Sequence, residues 1–271
     1  MHHPQRGAVA CWPGWQYPPW QSEYNRVSLK HPPVSSDEYP EGKPRLMNDR
    51  ELTRLCDPEA LALKDAVQLA KQIAVTEPLL DVHLARKLPG RESSKPLEGP
   101  FAVRALEILD AISKGGRLLS AVVQLIGHPD PRLRSKAASF IGRRTQNVKW
   151  AEKYLLEPDQ RVRANVIEAM WGLDHPGTRE ILTQARVDGS NRVAGNALIG
   201  LHALKHPEVF HWILEMAKHP SPLFRVTAAW VMGKTADPAF QEPLKEMFKD
   251  KDPKVKSMVV KSLVKLKKAA T

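Results

Sequence analysis

The chain has 271 residues, 42% hydrophobic and 26% charged, an ordinary globular composition with enough length to bury a core. Two cysteines, Cys11 and Cys56, exclude a disulfide scaffold and a four-thiolate metal site, and no stretch approaches the ~20 apolar residues of a membrane span. Lys and Arg number 41 against 30 Asp and Glu, so a net charge of +11 must be placed before it implies any partner.

Residues 1–46 hold eight of the 23 prolines, Trp12, Trp15 and Trp20, and three of the four tyrosines. Pro18-Pro19, Pro32-Pro33, Pro40 and Pro44 interrupt helix or central strand, and no apolar periodicity runs through them. The segment reads as a disordered extension, an adhesive docking peptide, or sequence that is not native coding, with Met47 rather than Met1 as the start. Met1 to Pro13 lacks a charged-then-apolar signal pattern, which points to the cytoplasm. After Met47, Asn48-Asp49-Arg50-Glu51-Leu52 opens a helix with a capping residue and early acids.

From there the pattern predicts helices at about 58–75, 78–88, 100–113, 116–126, 131–144, 148–157, 160–173, 178–187, 191–204, 208–218, 222–235, 239–249 and 253–267. Short Pro, Gly, Asp, Asn and Ser punctuation separates them, with one longer break from Pro89 to Pro100. No alternating Val/Ile/Thr run calls for a sheet.

Self-comparison carries the most information. Asp159-Gln160-Arg161-Val162-Arg163 recurs every 31 residues as Ser190-Asn191-Arg192-Val193-Ala194, Ser221-Pro222-Leu223-Phe224-Arg225 and Asp252-Pro253-Lys254-Val255-Lys256. An earlier copy, Asp130-Pro131-Arg132-Leu133-Arg134, lies 29 residues before Asp159. Apolar columns keep the register: Ala137, Val166, Ala197, Ala228 and Val259, then Ile141, Met170, Leu201, Met232 and Leu263. Second helices align through Ala151, Leu182, Ile213 and Leu244, and through Tyr154, Ala185, Met216 and Met247. Spacings of three and four place each set on one helical face. Asp or Ser is expected to cap each first helix, and His-Pro or Asp-Pro turns reverse the chain. Two amphipathic helices cannot bury their faces alone, so the units must stack into a superhelix.

These residues resemble HEAT repeats, in particular bacterial HEAT-like units related to phycobilisome-lyase repeats. The family pattern of Asp-Pro-x-Val-Arg, then Ala, then Ala-Leu-Gly is seen at Asp159, Val162, Arg163, Ala169, Met170 and Gly172. It is seen again at Asp130, Pro131, Leu133, Arg134, Ala137, Ile141 and Gly142. Ala194 and Lys256 depart from the Arg position. The resemblance implies an all-α fold, an alpha-alpha superhelix (HEAT/armadillo-type solenoid) of about six helical-hairpin repeats, over 47–271 and clearest over 128–267. It is nearly silent on function, because the family spans lyases, chaperones, glycosylases and scaffolds.

Chemistry is sparse in this pattern. His202, His206 and His211 form a conceivable ligand trio, but His206 repeats the turn position of His175, and punctuation outweighs metal. HEAT-like hydroxylases carry repeated His-Glu dipeptides, and this chain has none. Cys56 has no neighbouring histidine, and no phosphate loop or nucleophile elbow occurs, so the reading is no catalytic residue, no cofactor and no metal. Trp150 and Trp212 fall in a core column, whereas Trp171 and Trp230 lie off the core columns as partner candidates.

First helices of the five clear units carry 15 Lys and Arg and one acid, Glu168, while second helices carry seven of each sign. In resembling superhelices the second helices line the concave surface, so a concave DNA cradle is disfavoured. Arg132, Arg134, Arg161, Arg163, Arg192 and Arg225 recur near first-helix openings, either as a binding face or as an internal ladder, with the ladder favoured. Lys254, Lys261 and Lys265 mark the polar side of the last helix, a solvated cap or a docking helix. The expected role is a non-catalytic scaffold for a protein partner. The alternatives are nucleic-acid binding through the basic first-helix face, and a lyase or oxidoreductase of the repeat family.

Overall fold

The structure, a computed structural model, describes residues 47–90, 96–114 and 116–269. All of them belong to a unit spanning Pro44–Thr271; the 1–46 extension and the question of its character lie outside the described residues. No strand occurs among the described residues, and fourteen α-helices follow one another. They are α1 Asp49–Leu55, α2 Leu63–Thr76, α3 Leu80–Arg86, α4 Gly99–Ile112, α5 Leu119–Val123, α6 Pro131–Thr145 and α7 Val148–Tyr154. Then come α8 Gln160–Ala169, α9 Pro176–Ala185, α10 Asn191–Ala203, α11 Val209–Ala217, α12 Pro222–Thr235, α13 Gln241–Met247 and α14 Pro253–Ala269.

The even-numbered helices from α2 to α14 pack successively on one another as one layer, and odd-numbered helices cover them as a second. This is an α-solenoid, as the periodicity requires. Its core is the set of columns that keep the repeat register. Leu133, Val162, Val193 and Val255 are buried, as are Ala137, Val166, Ala197, Ala228 and Val259. On the second layer Ala151, Leu182, Ile213 and Leu244 are buried too, together with Trp150, Ile181 and Trp212.

Several boundaries differ from the sequence expectation for local reasons. The expected helix over 58–75 starts at Leu63, because the Asp57 carboxylate takes the Glu59 N–H at 2.8 Å in a turn around Pro58. The opening at Asn48 forms a separate short helix, α1. The Asn48 side chain accepts the N–H groups of Arg50 and Glu51, and Glu51 returns a bond to the Asn48 N–H. The helix expected to 173 stops at Ala169, and Gly172 at φ +79° turns the chain toward α9. Asp130, Asp159 and Asp252 cap their first helices by accepting the N–H two residues on. Ser190 and Ser221 make no such cap with their side chains, contrary to the expectation for Ser at this place. The acceptor two residues earlier, Asp188 or His219, takes the serine's own N–H, as His128 and Asp250 do for Asp130 and Asp252.

Buried polar side chains add cross-links between first helices. Asn165 Nδ2 donates to the Ser135 carbonyl at 3.0 Å, Asn196 Nδ2 to the Ala164 carbonyl at 2.9 Å, and Ser262 Oγ to the Ala229 carbonyl at 2.7 Å. Such groups sit in the closest part of the layer, where satisfying them is obligatory. Closeness is greatest at α12 against α14: a Cβ placed on Gly233 would stand 2.7 Å from the Ser262 backbone Cα. Gly233→Ala should therefore push α12 and α14 apart and lower stability by about 1–3 kcal/mol in urea unfolding. Unchanged stability would mean that this contact is loose.

Candidate functional site

The recurring arginines form an internal ladder. Arg163, near the start of α8, donates through Nη1 to the carbonyls of Glu157 and Pro158 at 2.8 and 3.1 Å. Its Nε and Nη2 grip the Asp188 carboxylate, both at 3.0 Å, 25 residues further along. Arg225 repeats this with the carbonyls of His219 and Pro220 and with Asp250 at 2.7 and 3.1 Å. Arg134 does the same with His128 and Pro129 and with Glu157. Each guanidinium thus ties the turn before a unit to the turn after it with forked, charge-assisted bonds. Asp188 is raised by burial, but the Arg163 guanidinium and the Ser190 N–H outweigh that and hold it below the ordinary carboxylate value. Asp250 is likewise lowered, chiefly by Arg225.

One rung is absent. In the third unit Ala194 stands where arginine would be, and His219 stands where the acid would be. Both ends of the pair are replaced together. The place is open: a cleft of about 350 Å³ is lined by Arg186, Val187, Asp188, Gly189 and Leu198, and by Trp212, Glu215, Met216, His219 and Phe224. A second, larger cleft of about 510 Å³ lies between α2 and the α4–α5 turn, where Arg117 and Asp81 already pair.

The remaining candidates stay outside the ladder. Arg132, Arg161, Arg192 and Lys254 occupy one column, all exposed, with Leu223 as its fifth member. Arg132 folds back on its capping Asp130, and Arg192 reaches Asn165 at 3.3 Å. Leu156 and Val187, 88% and 70% exposed, lie on the turns just before two of these openings. Lys261 and Lys265 are exposed on α14, beside exposed Val260 and Val264. Trp171 is half-buried and donates its indole N–H to the Asn196 carbonyl at 2.8 Å, wedging α8 against α10. Trp230, also half-buried, faces Gly195 of the preceding first helix.

The histidines have separate duties. His128, His175, His206 and His219 each accept, through Nδ1, the N–H two residues on, at 3.0, 3.1, 3.3 and 3.0 Å. Asp237 accepts the Ala239 N–H in the same way. His-Pro and Asp-Pro are therefore equivalent turn openings: each presents an acceptor across the proline. His202 pairs with Asp237, His206 with the Glu208 N–H of the intervening turn and His211 with Glu215, so these three histidines have different partners. Among the described residues no group of three or more His, Cys, Asp or Glu could hold a metal ion. Cys56 is fully buried, and burial pushes its thiol up to about 12.

Two outcomes follow for solution measurements. The stability from the Asp188 and Asp250 rungs is complete above their ordinary value of 3.8 and lost as pH falls through their lower folded values. Thermal midpoints of the wild type should drop more steeply below about pH 4 than those of Asp188→Asn, which has already lost its rung. Parallel curves would contradict this. Cys56 should react with a thiol reagent only as fast as the protein unfolds, so a rapid reaction under native conditions would contradict its burial.

Comparison with known proteins accords with the repeat geometry. Residues 210–271 match the family described as HEAT repeats. A stretch of 118 residues, 41% of this chain, is 31% identical to epoxyqueuosine reductase of Bacillus subtilis (strain 168) and spans 30% of that protein. The chain thus covers less than a third of that relative's length. Among solved structures, the complex of CpcE and CpcF of phycocyanin lyase from Nostoc sp. PCC7120 is 14% identical, with a TM-score of 0.45, over 86% of this chain and 100% of that one. Human deoxyhypusine hydroxylase in complex with glycerol is 17% identical, with a TM-score of 0.36, over 81% and 89%. Among the described residues no helix is long and apolar enough to cross a membrane. Residues 210–271 are thus HEAT repeats, and the same register runs back to Asp130.

Proposed function

We propose that this helical-repeat scaffold is a non-catalytic binding module that docks an acidic face of a protein partner along one edge. The observation that carries the reading is the exposed column Arg132, Arg161, Arg192, Leu223 and Lys254, one residue per unit at the mouth of each first helix. First helices pack about 8–10 Å apart, so the column presents regularly spaced cations. Exposed Leu156, Val187 and Leu223 lie along the same edge and favour a protein surface over a phosphate backbone, which offers aliphatic groups nothing to bury against. The balanced charge of the second helices also argues against nucleic acid in the groove. The excess of 11 cations supports an acidic partner through steering of encounter. Arg134, Arg163 and Arg225 do not belong to this surface, since their donors are spent on the ladder.

Affinity capture from the native cell extract, comparing wild type with Arg161→Glu/Arg192→Glu, tests the reading. A protein partner bound by the wild type should be lost from the double variant, while Leu156→Ser should weaken it with no change in charge. Capture of nucleic acid alone, with binding that falls steeply and linearly in log salt, would replace the protein reading by the nucleic-acid one. Turnover of a small molecule by the purified chain would overturn the non-catalytic part.

A further inference from the structure

The missing rung leaves more than a gap. We propose that the cleft between the Asp188–Gly189 turn and His219 is a binding site for the free C-terminus of a peptide, taking its carboxylate at Arg186 and His219. It meets the docking edge at Val187, and none of Arg132, Arg161, Arg192, Leu223 and Lys254 lines it.

The space comes from the double replacement. In the units of Arg134, Arg163 and Arg225 a guanidinium fills this place and an acid faces it. Here the buried side chain is Ala194 and the acid is His219, so the cleft has lost both a cation and its counter-charge. His219 keeps one half of the acid's duty. Its Nδ1 accepts the Ser221 N–H at 3.0 Å, as Asp188 and Asp250 accept the N–H groups of Ser190 and Asp252. With Nδ1 accepting, the ring N–H lies on Nε2, so a donor has replaced an acceptor at this position.

Arg186 supplies the second donor. Its guanidinium carbon lies 4.1 Å from the centroid of the Trp212 ring, and its Nε is buried without a hydrogen-bond partner. A guanidinium seated over an indole, with no hydrogen bond of its own, can turn its terminal N–H groups to a carboxylate. The nearby acids do not fill that role: Asp188 is gripped by Arg163, and Glu215 sits at the exposed rim beside His211 at 3.2 Å. The carbonyls of Asp188 and Gly189 correspond to those that take guanidinium N–H groups in the other units, and here Ala194 offers them none. A ligand that fits must combine a carboxylate with an adjacent N–H donor. A peptide C-terminus does so on a single Cα, whereas in an acidic side chain one or two methylene groups separate the carboxylate from its own N–H. Leu198, Met216 and the Phe224 ring, stacked on His219 at 4.1 Å, give the last side chain an apolar wall. About 350 Å³ suits one or two residues of such a peptide.

The probe is acetyl-Gly-Leu with a free carboxylate, and its control is the same dipeptide as the C-terminal amide. Titration into the full chain is followed by the methyl resonance of Met216 in protein labelled at methionine methyl groups. The free acid should shift that resonance saturably, and the amide should bind at least tenfold more weakly. Arg186→Gln should also weaken the acid at least tenfold. Ala194→Arg/His219→Asp, which rebuilds the rung and fills the space, should abolish binding and raise the thermal midpoint. Equal binding of acid and amide, no saturable shift, or unchanged binding by the rebuilt variant would overturn the proposal. So would a shift produced by methylguanidinium instead, which would make the cleft a vacated cation seat. If the rebuilt variant fails to fold by circular dichroism, the acid-to-amide ratio and Arg186→Gln decide the matter.

Discussion

A guanidinium reaching from the first turn of one helix to the loops on both sides of its own unit organises this solenoid. Arg163 shows why the arrangement propagates. It donates to the Glu157 carbonyl, and the Glu157 carboxylate in turn accepts Arg134; its own acid, Asp188, also fixes the entry to the next first helix through the Ser190 N–H. The rungs of Arg134 and Arg163 thus share Glu157, and the absent rung at Ala194 interrupts the series before Arg225. A repeat protein is held by nearest-neighbour interfaces, and a shared residue of this kind sets the orientation of one interface relative to the following one. Hydrophobic columns supply most of the burial, but a column of Val and Ala tolerates small rotations that a forked ion pair between turns does not.

The interrupted rung at Ala194 and His219 gains its meaning from that regularity. A lone alanine in a helix is unremarkable, and a histidine before proline is a common turn. Only beside three intact rungs does the pair read as a coordinated replacement that trades an internal ion pair for an open, donor-lined cleft. The neighbouring first helices remain tightly joined there, with Asn191 donating to Thr227 at 2.7 Å and Gly195 pressed against the next helix. Opening the cleft therefore leaves the layer itself intact.

The repeat was legible in the sequence because its signal is dense: capping residues, columns and turns recur every 29 to 31 residues, and the structure buries those columns except at Leu263, which is half-buried in the last helix. The ladder was only half legible. The arginines stood out, but their acids sit 23 to 25 residues later, outside any local motif. Aligning Glu157, Asp188, His219 and Asp250 in the same register would have exposed the partner column and its one exception. The cleft was invisible, since it depends on a space between second-helix ends that no single periodicity encodes. The N-terminal helices were less legible for another reason: Asp57 and Asn48 use side-chain acceptors to set short boundaries that apolar spacing alone does not reveal. The exposed column was legible as a repeat position, but its role was not, because solvated cations obey charge and not packing.

The claim that rungs orient the solenoid is tested most directly by a double-mutant cycle on Arg163 and Asp188. Stabilities of wild type, Arg163→Ala, Asp188→Ala and the double variant would be measured by urea unfolding. A coupling energy of roughly 1–3 kcal/mol is expected for this half-buried, forked pair. Additive effects of the two substitutions, with a coupling near zero, would show that the ladder ornaments a stack held by its apolar columns alone.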